Sequence, residues 1–176
     1  MANREALREL QSRLADRLQA ARTEGVQASW LAVESAGARY LFPLAQSGEI
    51  FPFSSAQRVP YTQGWFLGVA NLRGGLYGVV DLAGFIAGAA PMHRNESGRA
   101  ESRLVALGPA LEVNCALLID RLAGLRNLDA FTSSSEPPEG SPDYFGGGYT
   151  DASGAYWQEI NLQALSQQPQ FLSISA

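Results

Sequence analysis

His93 and Cys115 are the only histidine and cysteine of the chain, so they are its only thiol–imidazole candidates for a nucleophile and its base. A thiol attacks as its thiolate and needs a neighbouring base to reach that form. Cys115 lies inside an apolar run, whereas His93 lies in a polar stretch. A buried thiol and a solvated imidazole are therefore expected. One histidine and one cysteine fall short of the three or four ligands of a zinc site, so no metal is expected. Gly74-Gly75-x-x-Gly78 has no lysine after it and reads as a hairpin, which excludes a phosphate loop. Asp81 and Asp120 could be paired acids, yet each follows an apolar strand, where an aspartate more often caps the next turn. No catalytic residue and no cofactor are expected.

The polar residue that stands out instead is Arg73. Between Ile50 and Asp81 the only charged side chains are Arg58, Arg73 and Asp81. Arg73 precedes Gly74-Gly75 between two apolar, β-leaning runs that start at Trp65 and end at Leu82. A glycine pair there supplies the positive φ angles of a tight hairpin. On a largely buried hairpin a guanidinium needs a carboxylate, because a half-desolvated, unpaired charge costs several kcal/mol. Glu49 is the nearest acid upstream.

The elements that would position this hairpin change character along the chain. Residues 1–25 read as an amphipathic helix with Asn3 as cap, Gly25 as terminator, and Leu7, Leu10, Leu14 and Leu18 on one face. That stripe docks on its own domain, on a sister protomer or on a partner. From Ser29 onward, short aromatic and β-branched segments alternate with Gly, Ser and Ala, and Pro43 and Pro52 place their segments at edges, ends or bulges. This pattern implies a barrel or sandwich. A short helix follows Leu82, and 88–102 reads as a polar linker between two β halves. The segment 132–148, with serines, paired prolines and three consecutive glycines, reads as a long exposed loop. A strand at 155–160 leads to a short helix capped by Asn161, and 171–176 reads as a tail.

Composition narrows the partners. With 46% hydrophobic residues in 176, the chain can bury one substantial core or two small ones. A net charge of -4 without a basic cluster gives no footprint for nucleic acid or anionic lipid. A lone cysteine and a charged amino terminus lead to the expectation of a reducing, cytoplasmic setting. The apolar region 76–92 is broken by Asp81, so no membrane insertion is expected.

Gly68-Val69-Ala70-Asn71-Leu72-Arg73-Gly74, followed by Val79-Val80-Asp81-Leu82, resembles the signature of the CheW family of chemosensory adaptors. Glu49-Ile50 upstream of Val59-Pro60, then Leu118-Ile119-Asp120 and Ile160-Asn161-Leu162, are similar to that family's further motifs in the same order. The resemblance implies a mainly β fold of two small five-stranded SH3-like barrels packed together, over 26–170. It implies a non-enzymatic adaptor that couples a chemoreceptor tip to a CheA-type histidine kinase through the kinase's own CheW-like regulatory domain. Glu49, Asn71, Arg73 and Gly74 would then be protein-binding residues, with Leu122 and Leu125 as candidate apolar contacts. A merely structural Glu49–Arg73 salt bridge is the alternative, and one pair can serve both purposes.

Three departures accompany the match. Ser47-Gly48 replace an apolar residue before Glu49, the loop 132–148 is long, and the amino-terminal helix is reminiscent of PilI-like adaptors of pilus-linked systems. The competing reading is a small β-barrel that binds a ligand or hydrolyses a substrate. It would show convergent polar groups in a pocket, whereas an adaptor would show exposed apolar patches.

Overall fold

Alternation along the first strand sorts its side chains into two different cores. Trp30 and Ala32 pack with Leu41 and Trp157, while Leu31 and Val33 face a second cluster with Phe42, Leu117 and Ile160. Successive strand residues point to opposite faces, so a strand that is apolar throughout has both faces covered. The computed structural model that shows this describes residues 28–89 and 93–176, together with Ser12, Arg13 and Ala15. The helix expected over 1–25 lies outside the described residues, except that those three are helical and exposed.

The strands are β1 (Ala28–Ser35), β2 (Ala38–Pro43), β3 (Ser47–Pro52), β4 (Phe66–Leu72), β5 (Gly75–Asp81), β6 (Arg103–Leu107), β7 (Cys115–Ile119), β8 (Arg121–Asn127), β9 (Phe131–Ser135), β10 (Phe145–Asp151) and β11 (Tyr156–Ile160). Among the described residues from 28 onward, four short α-helices accompany them: α1 (Leu82–Ala87), α2 (Glu96–Glu101), α3 (Leu162–Ser166) and α4 (Pro169–Leu172). One sheet has six strands in the order β8-β1-β2-β11-β10-β9, and the other has five in the order β3-β6-β7-β5-β4. Each sheet curls around its own small core, and the cluster between them joins the two subdomains. The fold class expected from the sequence, mainly β with two small barrels, is borne out, with six strands in the first sheet where five were expected.

The connectivity differs from two halves laid end to end. The chain leaves the first sheet after β2, builds the whole second sheet with β3 to β7, and returns with β8. The linker 88–102 therefore joins β5 to β6 inside one subdomain instead of separating two, and it carries α2, capped by Asn95. Equally apolar strands on both sides of it hid the crossover in the sequence. The expected tail, 171–176, is bound in: Phe171 is buried and stacks on Trp65 at 6.4 Å, and the Ala176 amide donates to the Tyr61 carbonyl. The loop expected over 132–148 is shorter, since β9 and β10 run into it and leave 136–144. Backbone pairing to β10 suffices for an edge strand, so the serines of β9 stay exposed. The glycines of β10 are strand positions overlaid by larger neighbours, and a Cβ on Gly148 would lie 2.3 Å from the Tyr156 hydroxyl oxygen.

The second sheet closes by two devices that matter for the site. Its outer strands are β3 and β4, and the chain after β3 turns so that Gln57 exchanges two backbone hydrogen bonds with Val69 of β4. Gly68 makes room for that approach with φ +129, because a Cβ there would sit 2.0 Å from the Gln57 carbonyl oxygen. The other device is the contact between Glu49 and Arg73.

Candidate protein-interaction site

The β4–β5 hairpin turns on Arg73 and Gly74, both with positive φ, 48° and 81° respectively. A two-residue turn of this kind matches the twist of its strands, and Asn or Gly enter it most cheaply. Asn71 accepts a hydrogen bond from the Gly74 amide at 3.0 Å and holds the turn closed. Arginine in the left-handed region costs about 1 kcal/mol. Arg73 Nη1 meets Glu49 Oε1 at 2.6 Å, with the side chains 77% and 43% exposed. The pair anticipated from the sequence is present and links β3 to the tip of the hairpin.

Its setting differs from the buried one expected for it. The tip projects from the barrel, and Leu76, opposite Asn71 in the hairpin, is exposed. A solvent-facing pair contributes about 0–1 kcal/mol, which does no more than offset the backbone cost of Arg73. Stability alone gives no reason for arginine at this turn. What the arrangement offers is a fixed guanidinium and carboxylate at the surface, with Leu76 and the partly exposed Ile50 beside them in sequence.

The other candidates separate. Leu125 is exposed on the edge strand β8, with Leu128 exposed three residues on. Leu122, on the same strand, is half-buried and packs against the core between the sheets. Cys115 lies in that same core, where burial pushes its thiol up to about 12, while His93 is exposed on the linker. The two do not form a nucleophile and base. Among the described residues no group of three or more His, Cys, Asp and Glu side chains could hold a metal ion.

Asp81 and Asp120 do converge, through a residue that sequence reasoning missed. β5 and β7 are parallel neighbours with Asp81 beside Leu118, so both aspartates end adjacent strands on the same side. Arg94, from the linker, donates to Asp81 Oδ1 at 2.8 Å and to Asp120 Oδ1 at 2.5 Å. Asp120 Oδ2 accepts from the Ala36 amide in the β1–β2 turn at 2.7 Å, which carries the network into the other subdomain. Asp81 is fully buried and makes no capping hydrogen bond to α1, so the cap expected there is replaced by an ion pair. Burial disfavours the charge of Arg94, but its two carboxylate partners more than compensate and raise its pKa. The signal lay in the echo of Val79-Val80-Asp81 and Leu118-Ile119-Asp120. Two strand-end acids of one barrel call for a cation from the segment between them.

A hairpin bearing a surface Glu–Arg pair, on one of two packed barrels whose chain crosses over and returns, defines a class. The CheW-like domain profile matches residues 29–170, and the chain belongs to that family. The resemblance seen in the sequence motifs is thereby borne out. Among relatives, the chain is 28% identical over 159 residues to Protein PilI of Pseudomonas aeruginosa, covering 88% of this chain and 85% of that protein. This agrees with the PilI-like features of the sequence. Among solved structures, the scaffolding protein TtCheW from Thermoanaerobacter tengcongensis shares the fold with a TM-score of 0.64 at 18% identity, over 80% of this chain and 93% of that one.

Proposed function

We propose that this protein is a non-enzymatic adaptor of a bacterial chemosensory system, of the pilus-linked, twitching-motility type. In this reading it couples a CheA-type histidine kinase, through the kinase's CheW-like regulatory domain, to the cytoplasmic tip of a chemoreceptor. The observation that carries the reading is family membership across 29–170, together with an ion pair held at the surface where stability does not require it. An adaptor of this kind performs no chemistry. It holds the kinase where receptor motion biases its activity, so its effect is a coupling free energy between two binding sites.

Glu49, Asn71, Arg73 and Gly74 lie at or beside the contact surface in this reading. Asn71 and Gly74 set the turn, and Arg73 and Glu49 present charge of fixed geometry. Binding energy comes mainly from neighbouring apolar side chains such as Leu76, and Leu125 offers a second apolar point on β8. No helix among the described residues is long and apolar enough to cross a membrane, which suits a cytoplasmic protein recruited to receptor arrays by its partners. The test is reconstitution with the purified kinase and a receptor cytoplasmic fragment. Kinase activation by the receptor should require this protein, and its omission should leave the kinase at its basal rate. Activation of equal size without it, or catalytic turnover by the protein alone, would overturn the reading.

A further inference from the structure

At the opposite end of the same barrel the chain builds a second surface of different chemistry. Six residues of β4, at about 3.3 Å each, put Leu67 about 20 Å from Arg73 along the strand. There a cavity of about 480 Å³ opens between the segment after β3, the start of β4 and the linker. Its floor is apolar, formed by Phe53, Leu67 and the end of the barrel core at Leu118. Every ionisable side chain lining it is basic: Arg58, His93, Arg94 and Arg99.

The lining cations are not equivalent. Arg94 is committed to Asp81 and Asp120 and forms part of the wall. Arg58, His93 and Arg99 are exposed, and neither arginine side chain has a hydrogen bond or ion pair among the described residues. The cavity is thus an apolar floor rimmed by unneutralised guanidinium groups on a chain of net charge -4. Unpaired surface cations cost little while hydrated, but their hydrogen-bonding forks match carboxylates and gain strength when a partner excludes water. A free anion would leave the floor wet, and a purely apolar side chain would desolvate the rim without pairing it.

We propose that this cavity is a docking site for an acidic segment of a partner protein, with a bulky apolar side chain seated on Phe53, Leu67 and Leu118 and flanking carboxylates on Arg58 and Arg99. The site is separate from the Glu49–Arg73 surface and does not depend on what binds there.

The experiment is a fluorescence-anisotropy titration of the full chain with the labelled hexapeptide Glu-Asp-Leu-Phe-Glu-Asp. Two control peptides replace the central pair by Gly-Gly or the four acids by lysine. The wild-type protein should bind the first peptide saturably, each control at least tenfold more weakly, and the first peptide more weakly as salt rises. Arg58→Ala with Arg99→Ala should lose at least tenfold in affinity with an unchanged circular-dichroism spectrum, and Leu67→Gln gives an independent loss through the floor. Absence of saturable binding would overturn the proposal, as would affinity retained in the double variant. Displacement of the peptide by inorganic phosphate at equal concentration would show a simple anion site instead. Self-association of the wild type that is abolished in the double variant would show that a second copy is the occupant. An Arg73→Ala protein should bind the peptide as the wild type does, so failure here and failure of the adaptor reading remain distinguishable.

Discussion

One barrel carries two guanidinium–carboxylate sites at opposite ends of its strands, and they differ almost entirely in burial. At one end Arg94 is 11% exposed and grips Asp81, which is wholly buried, together with Asp120. At the other, Arg73 and Glu49 are 77% and 43% exposed. Removing one partner of a buried pair strands a charge in a medium that cannot solvate it, whereas removing one partner of an exposed pair returns the other to water. The same chemical contact is thus architecture in the first place and a presented surface in the second.

The sharpest way to break this contrast is Arg94→Ala, which leaves Asp81 buried without a cation. We expect a loss of about 3–5 kcal/mol in urea-induced unfolding. A loss under 1 kcal/mol would show that the triad does not hold the subdomains. Next in size is Gly68→Ala, where the added Cβ meets the Gln57 carbonyl and the φ of +129 suits no side chain. It should cost about 2–3 kcal/mol by the same measurement. A smaller effect is expected at Asp151, which closes the β10–β11 turn. It accepts from the hydroxyl and amide of Ser153, the indole N–H of Trp157 and the Ala155 amide, and the hydroxyl and indole bonds chiefly hold its pKa below the usual carboxylate value. A depressed folded pKa gives stability that is present above the unfolded value of about 3.9 and fades as pH falls below it. The melting-temperature gap between wild type and Asp151→Asn should therefore be constant near neutral pH and narrow below about pH 4. Smallest in stability is Arg73→Ala, at no more than about 1 kcal/mol.

The hairpin and its ion pair were legible because their signals are local: a glycine pair between apolar runs, and one arginine with one acid upstream, although the turn itself falls one residue earlier than the pair, on Arg73 and Gly74. The packing of two barrels was legible only through the family resemblance, since alternation in Trp30 to Val33 tells two faces apart but not which core each enters. Three features escaped for physical reasons. The return of β8 to the first sheet is a long-range pairing with β1 that no local pattern in its sequence encodes. The glycines of β10 read as loop because the residues that overlay them, Tyr156 and Glu159, come later in the chain. Arg94 read as one more solvated charge because its partners end strands on either side of a linker that looked unstructured.

In the proposed reading, the role of the exposed pair is to form part of the partner surface. It is tested by calorimetric titration of a CheA-type kinase regulatory domain, and of a receptor-tip fragment, into wild type, Arg73→Ala, Glu49→Ala and the double variant. Each single variant should remain folded and lose about tenfold or more in affinity for at least one partner, and the double variant should cost less than the sum of the singles. A folded Arg73→Ala protein that binds both partners with wild-type affinity and still supports kinase activation would contradict the claim.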